Sequence, residues 1–211
     1  MRVLLRIAFD GNSYAGWQIQ PDQPTVQEAV GNGLERLYAG TNVPITGSSR
    51  RDARAIAQGF AALFDMPDTR FTPSELVHRL NSVLPGDIIV HSAVPVADDF
   101  HARYSAKGKI YRYTLSRPGI GREKDSLVLN ELPPLEILRQ TADCFVGTHD
   151  FGGFGVLASL PPNRQCTVRR LDWHRTADGR LVMEIEGNRF LHHMVRFIVG
   201  AHIEVWRGRM T

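Results

Sequence analysis

The sequence predicts an α+β protein of two ferredoxin-like halves, each ordered βαββαβ with an antiparallel sheet, joined around a central basic cleft, the second half lacking its last strand. Three observations predict it. Apolar stretches of strand length alternate with stretches of helical periodicity. Two helices open on Thr-x-x-Glu capping boxes. The order of elements in residues 1–103 then recurs, as topology rather than as sequence, in residues 104–211.

In the first half, Arg2 to Phe9 reads as a strand. Thr25-Val26-Gln27-Glu28 then caps a helix whose apolar positions Val30 and Leu34 are four residues apart, with Leu37 three further on. Val43 to Thr46 and Gly59 to Met66 are short apolar strands. Thr72-Pro73-Ser74-Glu75 opens a second helix, with proline at the favoured first position, running through Leu76, Leu80 and Val83 until Pro85-Gly86 stops it. The β-branched run Asp87 to Val96 closes this half.

The second half begins with the tyrosine-rich strand Lys109 to Ser116, followed by a helix from Pro134 to Phe145 and a strand from Val168 to Arg175. Asp178-Gly179 is a hairpin signal leading into a strand from Arg180 to Glu186. Asn188 is the expected cap of a last helix through Leu191, Met194, Val195, Ile198 and Val199.

Composition excludes several classes. Hydrophobic residues are 43% and charged residues 22%, and no apolar run approaches the ~20 residues a membrane span requires. Met1-Arg2-Val3-Leu4-Leu5-Arg6 carries arginine where a signal peptide would be apolar, so a cytoplasmic location is expected. Cys144 and Cys166 are too few for a disulfide framework and are not spaced as a zinc site; both are expected to be buried, inert thiols.

The net charge of +3 says little, but its distribution is informative. Arg103, Lys107, Lys109, Arg112, Arg117, Arg122 and Lys124 face the single acid Glu123, with Tyr104, Tyr111 and Tyr113 interleaved. Cations with aromatics suit phosphates and nucleobases.

Several positions stand out as candidates for chemistry. Asp52, within Gly47-Ser48-Ser49-Arg50-Arg51-Asp52-Ala53-Arg54, is a carboxylate among three guanidinium groups; nearby positive charge keeps it ionised, as a carboxylate nucleophile requires, though a salt bridge would use the same residues. Strand alternation sets Tyr111 and Tyr113 on one sheet face, available for a stacked base or for the core, and Ile110 and Arg112 on the other. His192 and His193 are neighbours on the expected helix, about 100° apart, and poorly disposed to share a metal ion. Arg196, four residues after His192, is expected to share its face.

Three segments carry a family resemblance. Phe9-Asp10-Gly11-Asn12-Ser13-Tyr14-Ala15-Gly16-Trp17-Gln18-Ile19-Gln20 with Val26-Gln27 is the first. The second comprises Leu84-Pro85-Gly86-Asp87-Ile88, Asp99-Phe100-His101-Ala102-Arg103-Tyr104-Ser105-Ala106 and Tyr111-Arg112-Tyr113. The third is Phe190-Leu191-His192-His193-Met194-Val195-Arg196 with Ile198-Val199-Gly200. In this order they resemble the motifs of the tRNA pseudouridine synthase A family.

The resemblance implies isomerisation of uridine to pseudouridine at positions 38–40 of the tRNA anticodon stem-loop, without metal or cofactor, by a homodimer. It implies that Asp52 is the catalytic aspartate, that Arg50 fills the space of the extruded base, that Tyr111 stacks on the target uracil and that Arg196 is the basic partner of the carboxylate. The family pattern GSGRTDAGVHA falls without gaps on Gly47 to Ala57. Arg51, Arg54 and Ile56 depart from its threonine, glycine and histidine, and Phe60 and Leu63 replace a glutamine and a histidine further on. A catalytically inactive RNA-binding relative that retains the basic cleft is the alternative these departures raise. Family members also continue past the third segment into a strand that would complete the second half.

Overall fold

The computed structural model describes residues 1–49, 55–120 and 125–211. Two compact units divide the chain, Met1–Ala106 and Lys107–Thr211.

The first unit contains β1 (Arg2–Phe9), α1 (Val26–Leu37), β2 (Ile45–Gly47), β3 (Ala57–Asp65), α2 (Pro73–Val83) and β4 (Ile88–Pro95). Its sheet has the order β2-β3-β1-β4 with every pair antiparallel. The alternate residues Val3, Leu5, Ile7 and Phe9 of the central strand are buried in a cluster with Val26, Val30 and Leu34 of α1 and Leu76 and Leu80 of α2. Each such aliphatic side chain contributes about 1.5–3 kcal/mol on burial, so this stripe holds the helices on the sheet.

Local chemistry sets the helix ends. Thr72 and Glu75 form the reciprocal capping box: Thr72 Oγ1 accepts from the Glu75 amide at 3.3 Å and Glu75 Oε2 accepts from the Thr72 amide at 2.8 Å. Hydrogen bonds from Thr72 hold the Glu75 carboxyl below its ordinary pKa. At the start of α1, the buried Thr25 accepts from the Glu28 amide at 3.4 Å. α2 ends where Leu84, which precedes Pro85, turns extended with φ −78° and ψ 152°, the region open to a residue before proline.

The second unit contains β5 (Lys109–Ser116), β6 (Leu127–Val128), α3 (Leu135–Asp143), β7 (Gly147–Asp150), β8 (Gln165–Arg175), β9 (Leu181–Gly187) and α4 (Met194–Trp206). Its sheet order is β6-β5-β9-β8-β7. Trp173, Leu181, Met183 and Ile185 from the sheet form one core with Leu138 and Ala142 of α3 and Met194, Ile198 and Val199 of α4. The hairpin closes as its sequence predicts: Gly179 has φ +86°, and the Thr176 amide donates to the Arg180 carbonyl at 2.9 Å.

Three expectations are corrected here. This sheet is mixed rather than antiparallel, because β6 pairs parallel with β5 through Leu115 with Leu127 and Ser116 with Val128. β6 and β7, of two and four residues, are too short for their alternation to be read in sequence. Asn188 does not cap the last helix. Its Oδ1 accepts from the Thr167 amide at 2.9 Å and the Arg189 amide at 2.7 Å, which ties it to β8, and α4 starts six residues later behind His193. Cys166 is buried, and burial raises its thiol pKa, whereas Cys144 is exposed just past the end of α3. Among the described residues no helix is long and apolar enough to cross a membrane.

Candidate active site

The segment that carries Arg50 and Asp52 lies outside the described residues, but both of its flanks are described and tightly built. On the leading side, Gly47 ends β2 against two aromatic rings. A β-carbon there would sit 2.5 Å from Trp17 Nε1 and 2.7 Å from Phe60 Cζ, so only glycine fits. The next residue, Ser48, is buried and its amide donates to the Ala61 carbonyl at 2.8 Å. On the trailing side, a β-carbon on Gly11 would meet the Ala55 carbonyl oxygen at 2.2 Å. Two residues later β3 begins, with Ala57 paired to Phe9.

Phe9, Trp17 and Phe60 form the buried floor between these flanks. Trp17 and Phe60 have ring centroids 4.3 Å apart, and Phe9 meets Phe60 edge-on at 5.7 Å. Offset and edge contacts of this kind add about 0.5–1.5 kcal/mol per pair beyond area burial and fix ring orientation.

The polar residues of the same stretch supply cross-ties. Gln27 donates through Nε2 to the Ile45 carbonyl at 2.8 Å and accepts at Oε1 from the Ile19 amide at 3.1 Å, joining α1, β2 and the Trp17 segment. Tyr14 donates its hydroxyl to Asp87 Oδ1 at 2.8 Å, and the Asp10 amide donates to the Asp87 carbonyl at 2.9 Å. Burial first, and then the bond to Asp87, push the Tyr14 phenol far above its ordinary pKa, so it remains a donor at any working pH. Asp10 in turn accepts from the Asn12 amide at 3.0 Å. Hydrogen bonds thus tie the Phe9–Gln20, Val26-Gln27 and Leu84–Ile88 segments into one frame within the first unit.

In the second unit, the face alternation of β5 is as expected. Ile110 is exposed while Tyr111 and Tyr113 pack, half-buried, against the core. The Tyr111 ring meets Phe190 edge-on at 5.0 Å and 75°. Phe190 fits because Gly187 leaves room: a β-carbon on Gly187 would lie 2.9 Å from Phe190 Cζ. The structure thereby ties Tyr111 to the segment leading into α4, where Arg196 sits exposed in the first turn.

The opposite face of β5 carries charge. Arg112 Nε lies 2.5 Å from Glu184 Oε1, and Arg170 Nη2 lies 3.4 Å from Glu184 Oε2. The Arg112 hydrogen bond, more than the Arg170 contact, holds the Glu184 carboxyl below its ordinary range.

His192 corrects a further expectation. It precedes α4 rather than lying on it, so it does not share a helix face with Arg196. Its ring lies 4.1 Å from that of His193. No group of three metal-ligating side chains occurs among the described residues. The basic run is described in part: Arg122 and Lys124 lie outside the described residues. Within it, Tyr104 is 76% exposed, with the Arg103 guanidinium 5.7 Å and the His101 ring 4.4 Å from its ring.

Comparison with known proteins decides what this frame belongs to. A family model described as tRNA pseudouridine synthase matches residues 141–211. The tRNA pseudouridine synthase A of Bacillus licheniformis is 36% identical over all of this chain and 86% of its own length. That of Ruminiclostridium cellulolyticum is 35% identical over 99% of this chain and 86% of its own. That of Chlamydia trachomatis serovar A is 38% identical over 99% of this chain and 79% of its own. The chain belongs to the tRNA pseudouridine synthase family. The family model's match spans the Phe190–Arg196 segment, and the relatives' matches span nearly the whole chain. Sequence reading alone missed the spatial partners Gly11 with Ala55 and Gly47 with Trp17. Their only signal was that glycines and aromatics recur within matched motifs.

Proposed function

We propose that this protein isomerises uridine to pseudouridine at positions 38–40 in the anticodon stem-loop of tRNA, with Asp52 as its nucleophile. The observation that carries this reading is kinship over almost the whole chain with proteins named tRNA pseudouridine synthase A. The tight packing on both flanks of the Asp52 segment supports it, since a nucleophile must be held within a fraction of an ångström.

The target base is stacked in its stem and is extruded before reaction, with Arg50 filling the space it leaves. Asp52 then attacks at C1′ of the ribose or C6 of the base. The N1–C1′ bond breaks, the uracil turns, C5 bonds to C1′, the bond to Asp52 breaks to return the free carboxylate, and the C5 proton is lost while N1 gains one, so that no atom is added overall. Tyr111, held edge-on to Phe190, limits escape of the uracil by stacking on it. Arg196 neutralises the carboxylate.

The protein carries this out as two ferredoxin-like halves, residues 1–103 with the catalytic aspartate and residues 104–211, around one basic tRNA-binding cleft. The strand order β2-β3-β1-β4 with all pairs antiparallel supports that assignment for the first half. It acts as a cytoplasmic homodimer, which sedimentation at micromolar concentration tests. The central experiment incubates the protein with unmodified tRNA and maps pseudouridine at positions 38, 39 and 40, beside Asp52→Ala. Product from wild type and none from Asp52→Ala is expected. A folded wild type that binds tRNA and forms no product would establish the inactive RNA-binding alternative, and product from Asp52→Ala would remove Asp52 as nucleophile.

A further inference from the structure

The strongest unassigned feature is the way the chain is held just before Arg196. His193, at the N-cap of α4, has φ 60° and ψ 7°, and its side chain makes no capping bond. A residue with a β-carbon occupies this left-handed region at a cost and stays there only where its surroundings impose it.

The surroundings are the turn Val156–Leu160. The Val156 amide donates to the His192 carbonyl at 3.2 Å. Ser159 Oγ lies 3.0 Å from His192 Nδ1 and 3.1 Å from the Val156 carbonyl, to which it donates. A hydroxyl has one proton. With that proton on the Val156 carbonyl, His192 must be the donor in the other bond. The chain therefore runs from His192 Nδ1–H to Ser159 Oγ, and from Ser159 Oγ–H to the Val156 carbonyl. This arrangement calls for the Nδ1-protonated tautomer.

The turn itself is stiff. The Ser159 amide donates to the Val156 carbonyl at 2.9 Å, and a β-carbon on Gly155 would lie 2.6 Å from Leu160 Cδ2 and 3.3 Å from the buried Leu191. Beyond His193 the first turn of α4 follows directly, with the Phe197 amide donating to the His193 carbonyl at 3.1 Å and Arg196 between them in sequence.

We propose that Ser159 and His192 form a positioning clasp that holds His193 left-handed and so sets the direction of the α4 turn carrying Arg196. This rests on the reading of Arg196 as partner of the catalytic carboxylate. Ser159 and His192 are positioning residues; neither is required to touch the reacting atoms.

The test combines kinetics on unmodified tRNA with the ring tautomer. Ser159→Ala is expected to lower kcat by about tenfold or more, as a small misplacement of a catalytic group does, with KM within about twofold. Ser159→Thr, which keeps the hydroxyl, restores kcat. His192→Asn keeps a donor where Nδ1 stands and stays near wild type, whereas His192→Gln reaches the Nε2 position instead and matches Ser159→Ala. The double variant Ser159→Ala with His192→Gln is no slower than either single, because both remove one bond. An unchanged kcat in Ser159→Ala, a loss confined to KM, or multiplying effects in the double variant would overturn the clasp. Arg196→Ala separates the two readings. If it retains full activity, the role of Arg196 fails; if it is slow while Ser159→Ala is not, only the clasp fails. Nitrogen-15 chemical shifts of the His192 ring in the free protein decide independently of turnover: Nδ1–H is expected, and an Nε2–H ring would refute the clasp.

Discussion

Replacing Gly11 by alanine tests whether the flanks of the Asp52 segment govern catalysis. The new β-carbon would lie 2.2 Å from the Ala55 carbonyl oxygen, 2.9 Å from its carbon and 3.0 Å from its nitrogen. Ordinary van der Waals contact begins at 3.4 Å, so the deficit exceeds 1 Å and is against backbone on every count. No flexible side chain can swing aside. Either the buried turn at Gly11 or the backbone at Ala55 must move, and Ala55 is three residues from Asp52. Overpacking of this kind costs roughly 1–3 kcal/mol, and a displacement near 1 Å at a reacting group costs about 100-fold in rate. The assay is pseudouridine formation on unmodified tRNA under single-turnover conditions, with chemical denaturation for stability. The expected result is a rate loss of about 100-fold in protein that remains folded. A Gly11→Ala protein that is destabilised by about 1–3 kcal/mol yet turns over at the wild-type rate would refute the idea that Ala55 transmits position to Asp52.

Three further outcomes follow from the same packing. Gly31 lies inside α1 with nothing within 4 Å of an added β-carbon, so Gly31→Ala should stabilise the protein by about 0.5–1 kcal/mol in urea unfolding. Thr25→Ala removes the buried cap of α1 and should cost about 1 kcal/mol by the same measurement. His202 is buried between Phe145 and Trp173, with Nδ1 2.8 Å from the Ile198 carbonyl, and burial lowers its pKa below the ordinary 6.5. The unfolded chain therefore takes up its proton first as pH falls. This contribution to stability is present in full above pH 6.5 and is lost as pH drops toward the folded pKa. Unfolding followed from pH 7.5 to 5.0 should show that loss, and His202→Leu should remove it; an equal slope in both proteins would mean that other groups carry the titration.

The legible parts of the fold are those where one local signal dominates. β1 and β5 are found at their predicted bounds because alternate residues, Val3, Leu5, Ile7 and Phe9 in one and Tyr111, Tyr113 and Leu115 in the other, face a core, and α2 because its capping box and Pro85 mark both ends. The start of α4 was not legible. Asn188 is a good cap by type, yet a strand ladder at Thr167 competes for its side chain, and the cap position goes to a left-handed histidine that no propensity favours. The site divides the same way. Tyr111 could be set on its sheet face from alternation alone, but its partner Phe190 is 79 residues away in sequence and only packing brings the rings together. Ser159 carried no signal at all, since its role depends on a turn meeting His192 from 33 residues away.

The departures around Asp52 can be weighed by where they lie. Phe60 replaces a family glutamine but is 2% exposed, inside the Phe9–Trp17 floor, and Leu63 replaces a family histidine at 8%. A polar side chain at either depth would need its own buried hydrogen bonds, each unmet one costing about 1–3 kcal/mol. Hydrocarbon needs none. In this chain Phe60 stabilises the floor through packing, and Leu63 is buried outside that cluster, whereas Ile56, at 42% exposed, contributes little burial and stands two residues after Arg54 in sequence. Phe60→Gln should therefore destabilise the first unit and slow catalysis through the floor, while Ile56→His should leave stability within about 0.5 kcal/mol. Measured side by side in unfolding and turnover, the pair tests whether activity depends on the aromatic floor: a stable, fully active Phe60→Gln protein would show that the floor is dispensable.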